Sequence, residues 1–339
     1  MGRPHLKEAM ANEPVLDTLL LLALPASGKS EVRRYLRELP PSQRAGELHL
    51  GDQIQLDDFP YVHFMRVVDE GLDELGQARH FYPDSQSGFI EGRDWGTLLR
   101  LVNEDYAWAT DASVGQPSDS AEGLLERIDR ARAAVGAPQV FSKFAPGLRA
   151  DLAGGLGEEA DRLHGEIFGK RPETLAGSTV VIEFARGGPD GAGFPLPEPH
   201  GYGYSLSQLS PALLSRASIL YVWVTPEESR RKNFARADPN DPGSILHHSV
   251  PISVMMGDYG TCDMAHLIEA SDRPNTVSVV AQDDGATYHL PVGRFDNRVD
   301  KTSFIREEPE QWAADDVRAI HDAMRAGFDA IWAADPKLR

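Results

Sequence analysis

The sequence predicts an α/β fold, a doubly wound and mainly parallel five-stranded sheet carrying a large helical insertion. Three observations carry this expectation. Short apolar runs bounded by turn residues recur along the chain, as in strands buried on both faces. Segments with helical spacing of apolar residues alternate with them, the pattern of a parallel sheet with helices on both sides. More than a hundred mostly helical residues separate the second run from the third, too many for a structureless loop.

Taken in order, Thr18–Leu24 is an apolar run that stops at the turn residues Pro25 to Gly28. A helix is expected from Lys29 to about Leu39, before Pro40-Pro41, and Glu47–Leu50 is the candidate second strand. Tyr61–Leu75, Gly92–Thr110, Leu124–Val135 and Leu148–Phe168 read as helices of the insertion. Thr179–Phe184 is β-branched and apolar, hence a strand, and the Gly- and Pro-rich Pro189–Tyr204 is a loop. A short helix Ser210–Ala217, a fourth strand Ile219–Thr225 and a helix Pro226–Ala237 with proline in its first turn follow. Asp263–Ala270 (helix), Thr276–Ala281 (fifth strand), Thr287–Val292 (hairpin) and Pro309–Trp332 (helix) complete the chain. The expected organisation is a core of 1–58 and 178–285, interrupted by the insertion 59–177, with a lid-like segment 226–255 and a hairpin and helix in 286–339. No internal repeat is legible.

The chain has 52 acidic and 34 basic residues and a formal charge of −18. That excludes a general nucleic-acid binder, which needs a basic footprint, but leaves room for a local basic pocket. Cys262 is the single cysteine, so no intrachain disulfide can form, which fits a reducing cytosol; a lone thiol reads as a small core residue. The longest apolar stretch, around Val15 to Leu24, is too short to span a membrane, and the N-terminus lacks the features of a secretory signal. A cytoplasmic protein without a membrane partner is expected.

The stretch Ala23-Leu24-Pro25-Ala26-Ser27-Gly28-Lys29-Ser30 follows the phosphate-loop pattern G-x-x-x-x-G-K-[ST], with alanine at the first glycine. Its setting between an apolar strand and a helix is the one the chemistry needs. Backbone N–H groups from Ala26, Ser27, Gly28, Lys29 and Ser30 would converge on phosphate oxygens, aided by the helix N-terminus. Lys29 would reach the β- and γ-phosphates, and the Ser30 hydroxyl would ligate Mg²⁺. Glu31 and Arg230 complete the candidate nucleotide-binding set. With this loop the fold class becomes a P-loop NTPase fold, and ATP with Mg²⁺ the expected cofactors.

Other residues group around it. Gly51-Asp52 would end the second strand, so Asp52 would act as base for an acceptor hydroxyl, or else cap a helix. Asp57 and Asp58 read as caps of the helix that includes Pro60. Glu183 closes an apolar strand, where an acid is costly without a role, and a magnesium site is a natural one. Arg186 would fork onto an anion, or pair structurally with Glu183. Arg230, Arg231 and Arg236 form a basic cluster in an acidic chain, suited to charge on a transferring phosphoryl group, or to a solvated helix face with Glu227. His247 and His248 show no metal-ligand spacing. Asn103 to Tyr106 and Trp95 are read as ordinary helix residues, though they could line an acceptor pocket.

These residues, in this order, resemble the P-loop phosphotransferases of the nucleoside monophosphate kinase-like group. Gly51-Asp52 is similar to the Gly-Asp-x-Leu-Arg motif of adenylate kinases, Glu183 to Arg186 to their Asp-Gly-Phe-Pro-Arg segment, and the arginines after Pro226 to the start of a lid. The resemblance implies a five-stranded parallel sheet, a Mg²⁺-ATP donor and a closing lid. Gln55 stands where that pattern has the arginine gripping the acceptor phosphate. The expected function is an ATP-dependent small-molecule kinase, with a nucleotide, nucleoside or other hydroxyl or phosphate acceptor. Lys29, Asp52, Glu183, Arg186, Arg231 and Arg236 would do the chemistry. A nucleotide-binding switch or slow ATPase acting on a protein partner is the alternative, suited by the apolar face of the C-terminal helix.

Overall fold

The computed structural model describes residues 14–169, 174–236 and 249–335. Strand β1 (Thr18–Leu22) is central in a six-stranded sheet of order β2-β3-β1-β4-β6-β5. Leu20 and Leu22 enter one apolar cluster and Leu19 and Leu21 another, the alternation of a strand covered on both faces. β3 (Ser178–Phe184) and β4 (Ala217–Trp223) flank β1 in parallel. β2 (Asp52–Asp57) lies beyond β3 and β6 (Thr287–Asp296) beyond β4, again parallel. β5 (Thr276–Val280) forms the antiparallel edge, joined to β6 as a hairpin.

The α/β class and the mainly parallel sheet match expectation, but the sheet has six strands, not five. The segment that packs against β4 is the hairpin strand β6, longer than expected, and not β5. Burial explains the choice. Leu290, Val292 and Phe295 of β6 are buried, whereas β5 ends on Val280, which is exposed. At Gly293 an added Cβ would collide with the backbone carbonyl of Gly327, so this glycine admits the closing helix onto the strand.

A second difference concerns Glu47–Leu50. Pro41 opens a helix instead of ending one, and Glu47 and Leu48 are its last residues. Helix α1 (Lys29–Glu38) and this α2 (Pro41–Leu48) cover one face of the sheet, and His49 turns the chain in the left-handed region, φ 52°. β2 therefore starts only at Asp52.

Between β2 and β3 lie α3 (Phe59–Glu74), α4 (Asp94–Thr110), α5 (Ala121–Ala134), α6 (Pro146–Gly155) and α7 (Gly157–Phe168). The last two replace one expected helix, broken around Gly155 to Gly157. Their buried residues join Leu20, Leu22 and the inner side of β3 in a single apolar cluster. A repeated device closes α3 and α5. Asp69 accepts from the amides of His80, Phe81 and Tyr82, and Asp129 from those of Val140, Phe141 and Ser142, at 2.7–3.2 Å. Each helix is followed by a left-handed glycine, Gly76 or Gly136, and the Phe81 and Phe141 rings meet at 6.0 Å. The two sets are offset by sixty positions, a local motif used twice.

After β3 come α8 (Gly201–Ser207), which takes the end of the expected loop, and α9 (Pro211–Leu214). α10 (Pro226–Arg236) follows β4, and α11 (Ile252–Gly257) and α12 (Met264–Ala270) precede β5. The closing α13 (Ala314–Ala334) buries Ile320, Met324, Phe328 and Ile331 against the sheet face shared with α1. Among the described residues no helix is long and apolar enough to cross a membrane.

Candidate functional site

β1 delivers the chain to the carboxyl edge of the sheet, and α1 leaves from it. Between them Ala26 (φ 55°) and Gly28 (φ 101°) adopt left-handed conformations. Such an alternation turns consecutive N–H groups toward one concavity, next to the first turn of a helix, where amides lack intrahelical partners. Ala23 has no positive φ, so the alanine at the first motif position costs nothing. A Cβ at position 28 would stand 2.6 Å from Thr302 Oγ1 and 2.9 Å from Asn297 Nδ2, and only glycine fits.

The carbonyls of the loop are engaged by side chains. Ser27 Oγ donates to Leu24 O (2.7 Å), Asn297 Nδ2 to Ser27 O (2.8 Å), Ser229 Oγ to Pro25 O (2.7 Å) and Tyr202 OH to Ala23 O (3.0 Å). Lys29 Nζ folds back to Ala23 O at 3.4 Å. Ser30 is exposed in the first turn of α1. Glu31 is buried and pairs with Arg306 at 2.8 Å, so its carboxylate braces α1 against the segment after β6.

The acids stand at the ends of β2 and β3, where Asp57 and Glu183 are register partners and emerge side by side. Arg33 of α1 lies over them, 2.8 Å from Glu183 Oε2 and 3.6 Å from Asp57 Oδ2, and also donates to Gln55. Asp57 Oδ1 accepts from the Phe59 amide at 2.8 Å and so caps α3, whereas Asp58, also expected as a cap, stands at the N-cap without a capping bond because its carboxylate is turned to Arg186. Burial, reinforced by the charges of Glu183 and Asp58, holds the Asp57 carboxyl well above the usual carboxylate range. Asp58 makes an ion pair with Arg186 at 2.7 Å; burial raises its carboxyl, against the pull of Arg186 and Lys29.

Lys29, Asp58, Glu183 and Arg186 are thus brought together, but the expected roles of Asp52, Arg186, Arg230 and Arg231 change. Asp52 opens β2 instead of following a strand, is exposed, and pairs with Arg44 at 2.7 Å. Five strand residues place it about 16 Å from the carboxyl edge, too far to meet an acceptor there. Arg186 is 2% exposed and already committed: it donates to Ser205 Oγ (3.0 Å), Ala185 O (2.6 Å) and Trp95 O (3.1 Å) besides holding Asp58. It fixes an acid of the site and is closed to a bound anion. Arg231 lies on the solvent face of α10, paired with Glu228 at 2.7 Å. Arg230 pairs with Asp190 (3.5 Å) and Glu227 (3.4 Å). The side chain of Arg236, with His247 and His248, lies outside the described residues. Cys262 is half-buried against Tyr221 OH at 3.2 Å, and burial pushes its thiol up to about 12, which suits a packing role.

The sequence reading passed over Arg33, Asn297, Thr302, Ser229 and Tyr202. Asp57 and Asp58 were visible, but the misplaced second strand gave their position to Asp52. Asn297 follows the last residue of β6 and carries no local motif. Lys232, buried and 3.1 Å from Asp300, ties α10 to the same segment.

Among the described residues no group of three His, Cys, Asp or Glu side chains is placed to hold a metal by itself. A magnesium ion arriving on a nucleotide needs only one or two protein oxygens. Ser30 and Glu183 offer a hydroxyl and a carboxylate at the same edge of the sheet, and the left-handed Ala26 and Gly28 lead straight into the first turn of α1, whose amides lack intrahelical partners. Away from the loop, a cavity of about 750 Å³ opens between the insertion and the segment around α8, with Trp95, His200, Tyr204 and Asp258 in its wall. No protein-family model, curated protein or solved structure matches the chain.

Proposed function

We propose that the chain is an ATP-dependent kinase with a P-loop NTPase fold, transferring the γ-phosphoryl group to a nucleotide, nucleoside or other small-molecule hydroxyl or phosphate. One observation supports it above the others: the left-handed loop of Ala26 and Gly28 opens into α1 beside Lys29, Asp58 and the Asp57–Glu183 pair. Amides and a cation for a polyphosphate stand next to carboxylates for a hydroxyl.

Bound Mg²⁺ would neutralise part of the polyphosphate charge and would be held by Ser30, with Glu183 in support. The loop amides orient the donor and Lys29 sets its ammonium against the β- and γ-oxygens. Asp57, with its raised proton affinity, takes the proton of an acceptor hydroxyl. That oxygen bonds to the γ-phosphorus while the bond to the β–γ bridging oxygen breaks, its electron pair leaving on ADP. Arg33 and Arg186 keep the carboxylates in place.

The test uses γ-labelled ATP, Mg²⁺ and pooled nucleosides, nucleoside monophosphates, sugars and aminocyclitols. Label is expected on an organic acceptor, and Lys29→Ala is expected to lower transfer by at least about 10²-fold while the variant stays folded. Equal transfer by folded Lys29→Ala, or label released only as inorganic phosphate, would overturn the reading. A switch or slow ATPase acting on a protein partner is the second reading. Burial of the apolar face of α13 on its own sheet removes the docking face that favoured it.

A further inference from the structure

Three features of the 750 Å³ cavity bear on what it holds. Its size is that of a small-molecule site. Two buried polar atoms on its lining residues, Tyr204 Oη and His200 Nδ1, have no hydrogen-bond partner, and Tyr204 as a whole is 8% exposed. Buried polar groups are nearly always paired, so these two are vacant hydrogen-bonding positions. The third feature is charge. Arg93, the one arginine in the lining, is closed in a fork with Glu91 at 2.7–2.9 Å. Glu198 and Asp258 also line the cavity, and neither makes an ion pair among the described residues. The wall carries the exposed carboxylate of Glu198 and the carboxyl of Asp258, which accepts from the Trp95 side chain and faces His200, beside the rings of Phe89, Trp95 and Tyr204.

A chain of contacts runs from the cavity wall to the edge that carries Asp58. Trp95 carbonyl accepts from Arg186 at 3.1 Å, Arg186 holds Asp58 at 2.7 Å, and the Arg186 guanidinium lies over the Trp95 ring at 4.7 Å. On the loop side, Arg33 and Arg186 are both spent on carboxylates, and Gln55 is bonded to Arg33. Arg186, the residue expected to grip an acceptor phosphate, is therefore occupied, and Arg33 is not free to take its place.

We infer that this cavity binds the acceptor, and that the acceptor is a hydroxyl-bearing organic amine, cationic at neutral pH, and not a phosphate ester. Carboxylates and ring faces receive the ammonium group, and Tyr204 and His200 receive hydroxyls. The inference rests on the kinase reading for the word acceptor, but not for the binding itself. Transfer would form a phosphate monoester on one hydroxyl, releasing ADP and one proton.

Calorimetric titration without ATP separates the two. The probes are 2-deoxystreptamine as the polyhydroxylated amine, myo-inositol as its neutral counterpart, and myo-inositol 1-phosphate and AMP as anions. The amine is expected to bind at least about tenfold more tightly than the other three. Glu198→Gln, an exposed position whose change leaves folding alone, is expected to weaken the amine about tenfold and leave Mg²⁺-ATP affinity unchanged. Tyr204→Phe is expected to weaken it several-fold without lowering Tm. Preference for an anionic probe, no binding of the amine, or equal amine affinity in both variants overturns the inference. Amine binding that responds to both variants, with no label transferred from ATP, leaves the cavity assignment standing and overturns the kinase reading.

Discussion

Asp57 combines two demands at one carboxyl. One oxygen caps α3, and the group as a whole faces Glu183 across the sheet register under Arg33. In the kinase reading, Asp57→Asn keeps the cap and removes the base. kcat is expected to fall by about 10²–10⁴-fold, with the KM for ATP within a factor of about three, in steady-state assays with the acceptor. Stability should move the other way. The folded state raises the proton affinity of Asp57, so the protonated form's contribution is complete below about pH 4 and is lost as pH rises through the elevated value. Asparagine does not ionise. The Tm difference, variant minus parent, is therefore expected to grow more positive between pH 4 and pH 8 in thermal melts. A difference that is flat or shrinks with pH would contradict the environment described for this carboxyl.

Among the elements, the helices of the insertion show how much one buried acid can hold. Asp129 collects three amides after α5, as Asp69 does after α3. Asp129→Ala leaves those amides without their acceptor, and the expected loss is about 3 kcal/mol or more in urea unfolding. Asp129→Asn, which retains one carbonyl oxygen, should lose less. This device also marks where the sequence stopped being informative. Asp69 with Gly76 and Phe81, and Asp129 with Gly136 and Phe141, share their spacing in plain view. Nothing in a single chain singles out three residue types at long intervals. The strand–turn–helix of Thr18 to Glu38 was legible because its determinants are local: an apolar strand, a turn, Gly-Lys-Ser and a helix. β2 was not, because an edge strand of sequence DQIQLD alternates too weakly to compete with the apolar pair Leu48 and Leu50. That one shift exchanged Asp52 for Asp57. Arg186 was found in the right place with the wrong role, since its four protein partners come from Ala185, Ser205, Trp95 and Asp58, a set that only the folded chain assembles.

Over the whole molecule, one close contact seats α13 on β4 and β6. Gly293 of β6 faces the carbonyl of Gly327 in α13, and Gly327 in turn lies against Leu220 of β4. A methyl group at position 293 has backbone in its way, so Gly293→Ala is expected to cost about 2–3 kcal/mol as α13 lifts from the sheet. Because β6 leads directly to Asn297, in the kinase reading the same variant is expected to weaken Mg²⁺-ATP binding, measured by titration at a temperature where circular dichroism shows it still folded. Unchanged ATP affinity in a destabilised variant would separate the loop from the strand that supports it.

The hydrogen bond from Asn297 to the Ser27 carbonyl spans 270 positions of the chain. Contacts of such long separation are the last to form, because closing the intervening chain carries the largest entropy cost. On the ribosome, the loop from Ala23 to Ser30 emerges early but remains without the Asn297 contact until β6 has been made and placed beside β4. A growing chain therefore carries the complete phosphate-loop sequence through most of its synthesis without the shape that goes with it. In the kinase reading, nucleotide that binds only the finished sheet would stabilise completed molecules selectively and leave partial ones to unfold and be degraded.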